Sequence, residues 1–323
     1  MRANDEILHQ IEEYIATIEL PTTPARLYEP ITYTMEVGGK RLRPMLLMLT
    51  HQLYSDSWQE AIHAAAAIEV FHNFTLLHDD IMDNSALRRS KETVQVKWNP
   101  NVAILSGDVM MILAYKLLAK VKPTLLPTIL DLFNRMSTEV CEGQQYDMDF
   151  EQIEVVSIEE YMHMIELKTS ILLGGATLIG AVIAGAPENH CKALESFATE
   201  LGLAFQLQDD LLDTYGDESL GKPIGGDILE GKKTFLKISA LDRANGQERE
   251  LLLNTHRSGE LSDQEKIAQI KEIYNRLGIE ELTEQAIAQK FSAALALIDN
   301  LEVRPEALEA LREYAKGLMN RKK

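Results

Sequence analysis

The sequence predicts an all-α protein, a bundle of about a dozen mostly antiparallel helices around a central apolar cavity. Three observations lead there. Ala, Leu, Glu, Ile and Lys dominate nearly every stretch, and no apolar–polar alternation of the strand type is present. Helix-start signals recur: Ser57 with Glu60, Ser157 with Glu160 and Ser262 with Glu265 each have the spacing of a capping box, in which hydroxyl and acid satisfy free N–H groups. Breaks fall at PTTP (21–24), GGKRLRP (38–44), Asn99-Pro100, Lys122-Pro123, Ala186-Pro187, 216–231, Asn245-Gly246, Ser258-Gly259 and Arg304-Pro305. The connections are short, and none is long or polar enough to divide the chain, so residues 1–323 read as a single domain.

Composition narrows the function. Apolar residues make up 46% and charged residues 25%, an ordinary globular mix. A net charge of -18 and a pI near 4.9 exclude a nucleic-acid partner, which needs a basic face, but not an anionic substrate met by locally concentrated cations. The charged N-terminal stretch is not a signal peptide. No apolar run approaches the roughly 20 residues of a membrane span; Ile171 to Ala186 is shorter, rich in Gly and Ala, and reads as a buried helix. Cys141 and Cys191, without CxxC spacing, read as two buried reduced thiols of a cytoplasmic protein.

The first chemically loaded element is the helix expected over AIHAAAAIEVFHNFTLLHDDIMD (61–83). Its small residues permit close helix approach. At 100° per residue, Asp79 and Asp83 each fall within about 20° of His72, with Asp80 one step round. Carboxylates one turn apart repel, and burial worsens this. A hard divalent cation such as Mg²⁺, which takes one or two carboxylates plus substrate phosphates, is the physical remedy. Arg88 and Arg89, close behind, suit phosphate oxygens.

The same grammar returns in FQLQDDLLDTYGD (205–217). Asp209, Asp210 and Asp213 repeat the DDxxD spacing, with Gln206 a turn before and Asp217 a turn after. A Gly-rich connection follows with Lys222, Asp227, Lys232 and Thr234, where backbone and lysines can approach a phosphate. Two such clusters imply one cavity with metal–phosphate sites on facing helices. Lys40, Arg41 and Arg43 in GGKRLRP suit a phosphate bound without metal. Lys168-Thr169 places an ammonium inside the apolar YMHMIELKTSILLGG, and Gln144 and Asp147 in EGQQYDMDF are weaker hints.

Together, GGKRLRP, HNFTLLHDDIMDNSALRR, EGQQYD, KTS and FQLQDDLLDTYGD…GKPIGGDILEGKKT, in this order from about Gly38 to Thr234, resemble the trans-isoprenyl diphosphate synthases, or polyprenyl synthetases. The stretch around Asp79 is most like short-chain geranylgeranyl diphosphate synthases, with two residues between the aspartates and no insertion. Ser90 departs from the pattern, since glycine is usual after the arginine pair.

The resemblance implies an isoprenoid synthase fold, a homodimer, and head-to-tail condensation of isopentenyl diphosphate with an allylic diphosphate by Mg-assisted ionisation. It assigns Asp79, Asp83 and Asp209 to Mg²⁺, three ions per site with substrate bound, with Asp80, Asp210 and Asp213 in support. Arg88, Lys168, Thr169, Gln206, Lys222 and Lys232 would hold the allylic substrate, and Lys40, Arg43, His72 and Arg89 isopentenyl diphosphate. Phe74 and Thr75 would form the floor of the chain-length pocket. A lone Phe beside a small Thr favours a C20 product, and two aromatics would favour C15. The competing readings are a farnesyl diphosphate synthase, a terpene cyclase, and a non-catalytic partner subunit. Retention of both aspartate clusters and of GGKRLRP counts against the last two.

Overall fold

In the computed structural model, which describes residues 3–216, 224–259 and 261–319, nearly every expected break is a helix boundary. The chain forms two compact units. The first draws on the residues up to Asn134, on Gly175–Glu195 and on Leu301–Tyr314; the second on Arg135–Gly174, Ser196–Asn300 and the chain from Ala315.

The first unit contains α1 (Asn4–Ala16), α2 (Ala25–Glu36), α3 (Leu42–Gln52), α4 (Ile62–Met82), a hairpin of β1 (Leu87–Arg88) and β2 (Lys91–Glu92), α5 (Val94–Lys97) and α6 (Pro100–Leu118). Chain order continues with α7 (Leu126–Gln152), α8 (Ile158–Ile165), a π-helical turn at Glu166–Ser170, α9 (Ile171–Ile183) and α10 (Glu188–Tyr215). The remaining helices are α11 (Gly226–Glu230), α12 (Phe235–Arg243), α13 (Gly246–Asn254), α14 (Asp263–Leu277), α15 (Ile279–Ile298) and α16 (Pro305–Met319). Asn99 caps α6 by accepting from Val102 N, and Pro100 opens the helix where no N–H is needed. The capping boxes at Ser157 and Ser262 are both formed. The one expected at Ser57 is not: the segment is a three-residue 3₁₀ turn, too short to need it, and Glu60 pairs instead with Lys122 at 2.7 Å.

Helix α4 is the core of the first unit. Ala64 to Ile68, with Val70 and Phe71, are fully buried, because alanine lets neighbouring helices approach to backbone distance. Gly180 does the same for α9: a Cβ there would come within 2.2 Å of the Leu47 carbonyl oxygen. One ion pair is buried in this core. Arg41, in the left-handed conformation at the start of α3, donates from Nη1 to Glu69 Oε1 at 2.6 Å and from Nη2 to the Met35 carbonyl at 3.2 Å. Asn73 Nδ2 adds a bond to the same carboxylate at 3.2 Å. So Arg41, the central cation of GGKRLRP, is spent on holding α3 to α4.

Three sequence readings need correction. Cys141 is exposed on α7, whereas Cys191 is buried. A short hairpin does exist. Two helical segments, Pro100–Leu118 and Ile158–Ile183, are long and apolar enough to cross a membrane; scattered polar residues hid them from a search for unbroken runs. Ile158–Ile183 is mostly buried, while α6 exposes Ile104, Leu105 and Ile112 along one stripe.

Removing one partner of a buried pair strands the other charge. Glu69→Ala is therefore expected to cost about 3–5 kcal/mol, and the double change Arg41→Met with Glu69→Leu to restore most of it. Denaturant unfolding of the two variants checks this; equal losses in both would refute the stranded-charge account.

Candidate active site

In the first unit, α4 ends on its acidic motif. The backbone N–H of Asp83 donates to the Asp79 carbonyl at 2.9 Å, so Asp79 and Asp83 sit one turn apart, with Asp83 exposed and Asp79 half-buried. Asn84, at φ +50, turns the chain out of the helix. Asp80, one step round the helix, is buried. Arg88 reaches back from β1, its Nε donating to Asp80 Oδ1 at 2.8 Å and its Nη2 to Asp79 Oδ2 at 3.4 Å. Burial lifts the Asp80 carboxyl to about 6, and Arg88 opposes the shift. Gln95 Nε2, from α5, ties the Asp80 carbonyl at 2.7 Å and the Ser85 carbonyl at 3.0 Å.

The two arginines part at the hairpin. Arg89 and Ser90 both have positive φ, +53 and +62, the backbone of a type I′ turn that pairs Arg88 with Lys91. Ser90 thus occupies a position where glycine is the unstrained choice. The turn carries the Arg89 guanidinium onto Gly39, where a Cβ would lie 2.7 Å from Nη1. Gly39 itself has φ +154. GGKRLRP and the arginine pair, 50 residues apart in sequence, thus meet backbone to guanidinium.

Beside them, Arg43 Nη1 and His72 Nε2 are 3.0 Å apart. A guanidinium only donates, so His72 Nε2 accepts and its proton lies on Nδ1. Burial, then Arg43, Arg89, Arg88 and Arg41, hold His72 well below the ordinary imidazole value. His72 is therefore neutral among cations. Lys40 is exposed at the edge of the group.

Phe74 lies in an aromatic wall. Its ring is edge-on to His78, with centroids 4.7 Å apart, and 5.6 Å from Phe71; Phe71 meets Phe133 at 5.1 Å, and Phe133 meets Tyr115 at 5.1 Å. His78 is anchored through Nε2 to the Ile104 carbonyl at 3.2 Å and packs on Gly107, where a Cβ would come within 2.2 Å of it. Thr75 turns its hydroxyl back to the His72 carbonyl at 2.8 Å.

In the second unit, the acidic motif of α10 follows the same division with different partners. Asp210 is buried and receives Tyr161 Oη, Gln206 Nε2 at 3.0 Å and the Phe235 backbone N–H. Burial raises its carboxyl, and the donors from Tyr161 and Gln206 oppose the rise. Asp209 is half-buried. Asp213 Oδ2 accepts from the Asp227 N–H at 3.0 Å, and its carbonyl from Gly225 N, which fixes the start of α11. Asp227 is pushed well above the usual carboxylate range by burial, then by Asp213 and Asp210.

Lys168 lies in the π-helical turn and donates to Asp147 Oδ2 at 2.5 Å, so the lone lysine and the weaker hint in EGQQYD are partners. Thr169 Oγ1 bonds Gln206 Oε1 at 3.1 Å. Two glycines grip this turn. A Cβ on Gly143 would come 2.3 Å from Lys168 N, and one on Gly202 2.8 Å from Ser170. Lys232 is exposed; its N–H bonds the Asp227 carbonyl at 2.9 Å and its ammonium pairs with Glu230 at 3.1 Å. Lys222 and Asp217 lie outside the described residues.

The donor set suits a hard, lightly ligated cation. Oxygen is the only donor type in either motif, and among the described residues no three carboxylate, imidazole or thiolate groups close on one point. A closed protein cage for Zn²⁺ or Ca²⁺ is thereby disfavoured, and a Mg²⁺ site completed by phosphate and water is accommodated. Sequence reasoning missed Glu69, Asn73, Gln95, Tyr161, Gly143 and Gly202, which position the charged residues without bearing the motif's chemistry.

The polyprenyl synthetase family model matches residues 24–277. The geranylgeranyl diphosphate synthase of Methanosarcina mazei is 41% identical over 245 residues, 74% of this chain and 76% of its own. The geranylfarnesyl diphosphate synthase of Natronomonas pharaonis is 36% identical over 239 residues, 68% and 70% of the two chains. A crystal structure of a geranylgeranyl pyrophosphate synthase superposes with a TM-score of 0.94 at 40% identity, covering 100% of both chains. A geranylgeranyl pyrophosphate synthase from Corynebacterium glutamicum, complexed with isoprenyl diphosphate and magnesium, matches with a TM-score of 0.85 at 30% identity, covering 99% of this chain and 96% of that one.

Proposed function

The chain belongs to the polyprenyl synthetase family, and we propose that it makes geranylgeranyl diphosphate (C20) by adding isopentenyl diphosphate head to tail to an allylic diphosphate. It is a prenyltransferase with an isoprenoid synthase fold. The observation that carries the residue assignment is the split within each DD pair: Asp79 and Asp209 keep solvent access while Asp80 and Asp210 are buried and held.

In this reading Asp79, Asp83 and Asp209 bind Mg²⁺, three ions per site in the substrate complex, a count that metal analysis of that complex would check. Bound Mg²⁺ neutralises the charge that develops on the leaving diphosphate. Lys168, Thr169, Gln206, Lys232 and Lys222 hold the allylic diphosphate, and Arg88 keeps Asp79 and Asp80 in place beside it. Arg43 and Arg89, with Lys40 and neutral His72, hold isopentenyl diphosphate. Donors aimed at the leaving group count because they bind it more tightly as its charge grows. The C–O bond ionises, the isopentenyl double bond attacks the allylic cation, and the departing diphosphate takes the proton. Apolar side chains around the tail keep water from quenching the cation.

Product length is assigned to the Phe74 wall, and cytoplasmic localisation belongs to the same reading. The apolar stripe of α6 is assigned to a second copy of the chain. Ile104, Leu105 and Ile112 are 42%, 57% and 54% exposed, a face that water disfavours and a symmetric partner would bury.

Purified protein with Mg²⁺, labelled isopentenyl diphosphate and each allylic primer is expected to yield a C20 alcohol after phosphatase treatment. Asp79→Ala and Asp209→Ala should each lower kcat by orders of magnitude with unchanged melting; normal turnover in both would remove the metal assignment. Phe74→Ala should shift products beyond C20, and an unaltered profile would move the floor elsewhere. By sedimentation, the wild type should run as a dimer and Ile112→Glu as a monomer; a monomeric wild type would refute the α6 interface.

A further inference from the structure

We propose that Lys233, Lys237, His256 and Arg257 form a second anion site, for a small phosphate-class anion, apart from the residues assigned above to substrates and metal. All four belong to the second unit. The site is built on the first turn of α12 and on the 3₁₀ turn Thr255–Arg257.

Lys237 is the anchor. Only 7% of it is exposed, yet among the described residues its ammonium makes a single bond, to the Gly231 carbonyl at 3.0 Å. An ammonium has three donors, so two are left unused in a desolvated position. It also stands in the first turn of α12, capped by Thr234, where the helix dipole disfavours a cation and favours an anion. A buried charge of this kind is normally neutralised by a carboxylate. Among the described residues none is in place, although the chain carries 50 acidic residues against 32 Lys and Arg.

Its neighbours carry the same sign. Burial, then Lys233 and Arg257, lower the Lys237 ammonium to about 8. His256 lies with its ring on Gly231, where a Cβ would come within 2.5 Å of Cδ2. Burial, then Lys237, Arg257, Lys233 and Lys266, hold this imidazole down at about 4. Its Nδ1 is buried without a partner. Among the described residues, Lys233 reaches only a backbone carbonyl, that of Glu151, at 3.5 Å, and the Glu151 charge is the one acidic influence on it. Arg257 is exposed. Among the described residues, none of Lys233, Lys237, His256 and Arg257 makes an ion pair.

Among the described residues, these cations have unspent donors and one of them is buried, an arrangement suited to an anion taken from solution. A tetrahedral oxyanion fits the donor types: the Arg257 fork takes two oxygens, and the lysines act as point charges. Orthophosphate and the terminal phosphoryl of a diphosphate share this chemistry.

The test uses the full chain with EDTA, at constant ionic strength set by NaCl. Its thermal midpoint is titrated with inorganic phosphate and, separately, with inorganic diphosphate. The wild type should be stabilised by at least one of them, and which one identifies the source. Arg257→Gln, an exposed change, should weaken that anion's apparent affinity about tenfold, the size of one charge-assisted hydrogen bond. Lys237→Met should abolish the response, and Arg89→Gln should retain it. If Lys237→Met fails to fold, Arg257→Gln decides alone. No stabilisation by either anion, an unchanged affinity in Arg257→Gln, or loss confined to Arg89→Gln would overturn the proposal.

Discussion

The repulsion among three carboxylates at the end of one buried helix is the constraint around which the first unit is arranged. Two unit charges about 4 Å apart near a protein surface interact by roughly 4 kcal/mol, which is comparable with a large part of a domain's net stability. Arg88 answers this by reaching both Asp79 and Asp80. To reach them it must come back along the chain within nine residues, which requires the hairpin. The hairpin in turn requires two left-handed residues, and that turn carries Arg89 to Gly39. One electrostatic demand thus fixes a turn, and the turn assembles the cations beside His72.

The second cluster meets the same demand differently. Asp210 is held by a phenol, an amide and a backbone N–H rather than by a guanidinium. Neutral donors stabilise a buried carboxylate without adding a fixed positive charge. The nearby cations, Lys168 on Asp147 and Lys232 on Glu230, stay on other carboxylates. In the proposed function, exchange from those partners to a substrate phosphate is cheap because both lysines are long, rotatable side chains and at least partly exposed.

Much of this was legible in the sequence. Helix boundaries followed from Pro, Gly and capping residues, and the one-turn spacing of Asp79 and Asp83 followed from 3.6 residues per turn. The missed parts are of two kinds. Gly143 and Gly202 matter because a backbone passes over them, and nothing in their own neighbourhoods announces a partner 25 or more residues away. Glu69 and Tyr161 look like ordinary helix residues; their roles depend on Arg41 and Asp210 being buried, which only packing decides. The absent cap at Ser57 shows the converse, a correct spacing in a turn too short to use it.

The duplicated DD pair now has a physical explanation. Adjacent residues on a helix point about 100° apart, so two consecutive aspartates cannot both face a ligand squarely. In each motif the first keeps solvent access and the second turns inward and is tied, Asp80 to Arg88 and Asp210 to Tyr161 and Gln206. The inner carboxylate restrains the last turns of its helix, and the outer one inherits that restraint. A metal ligand must be held to a fraction of an ångström to act on charge as it forms. Under the proposed assignment, the second aspartate of each pair serves geometry and the first serves as metal ligand.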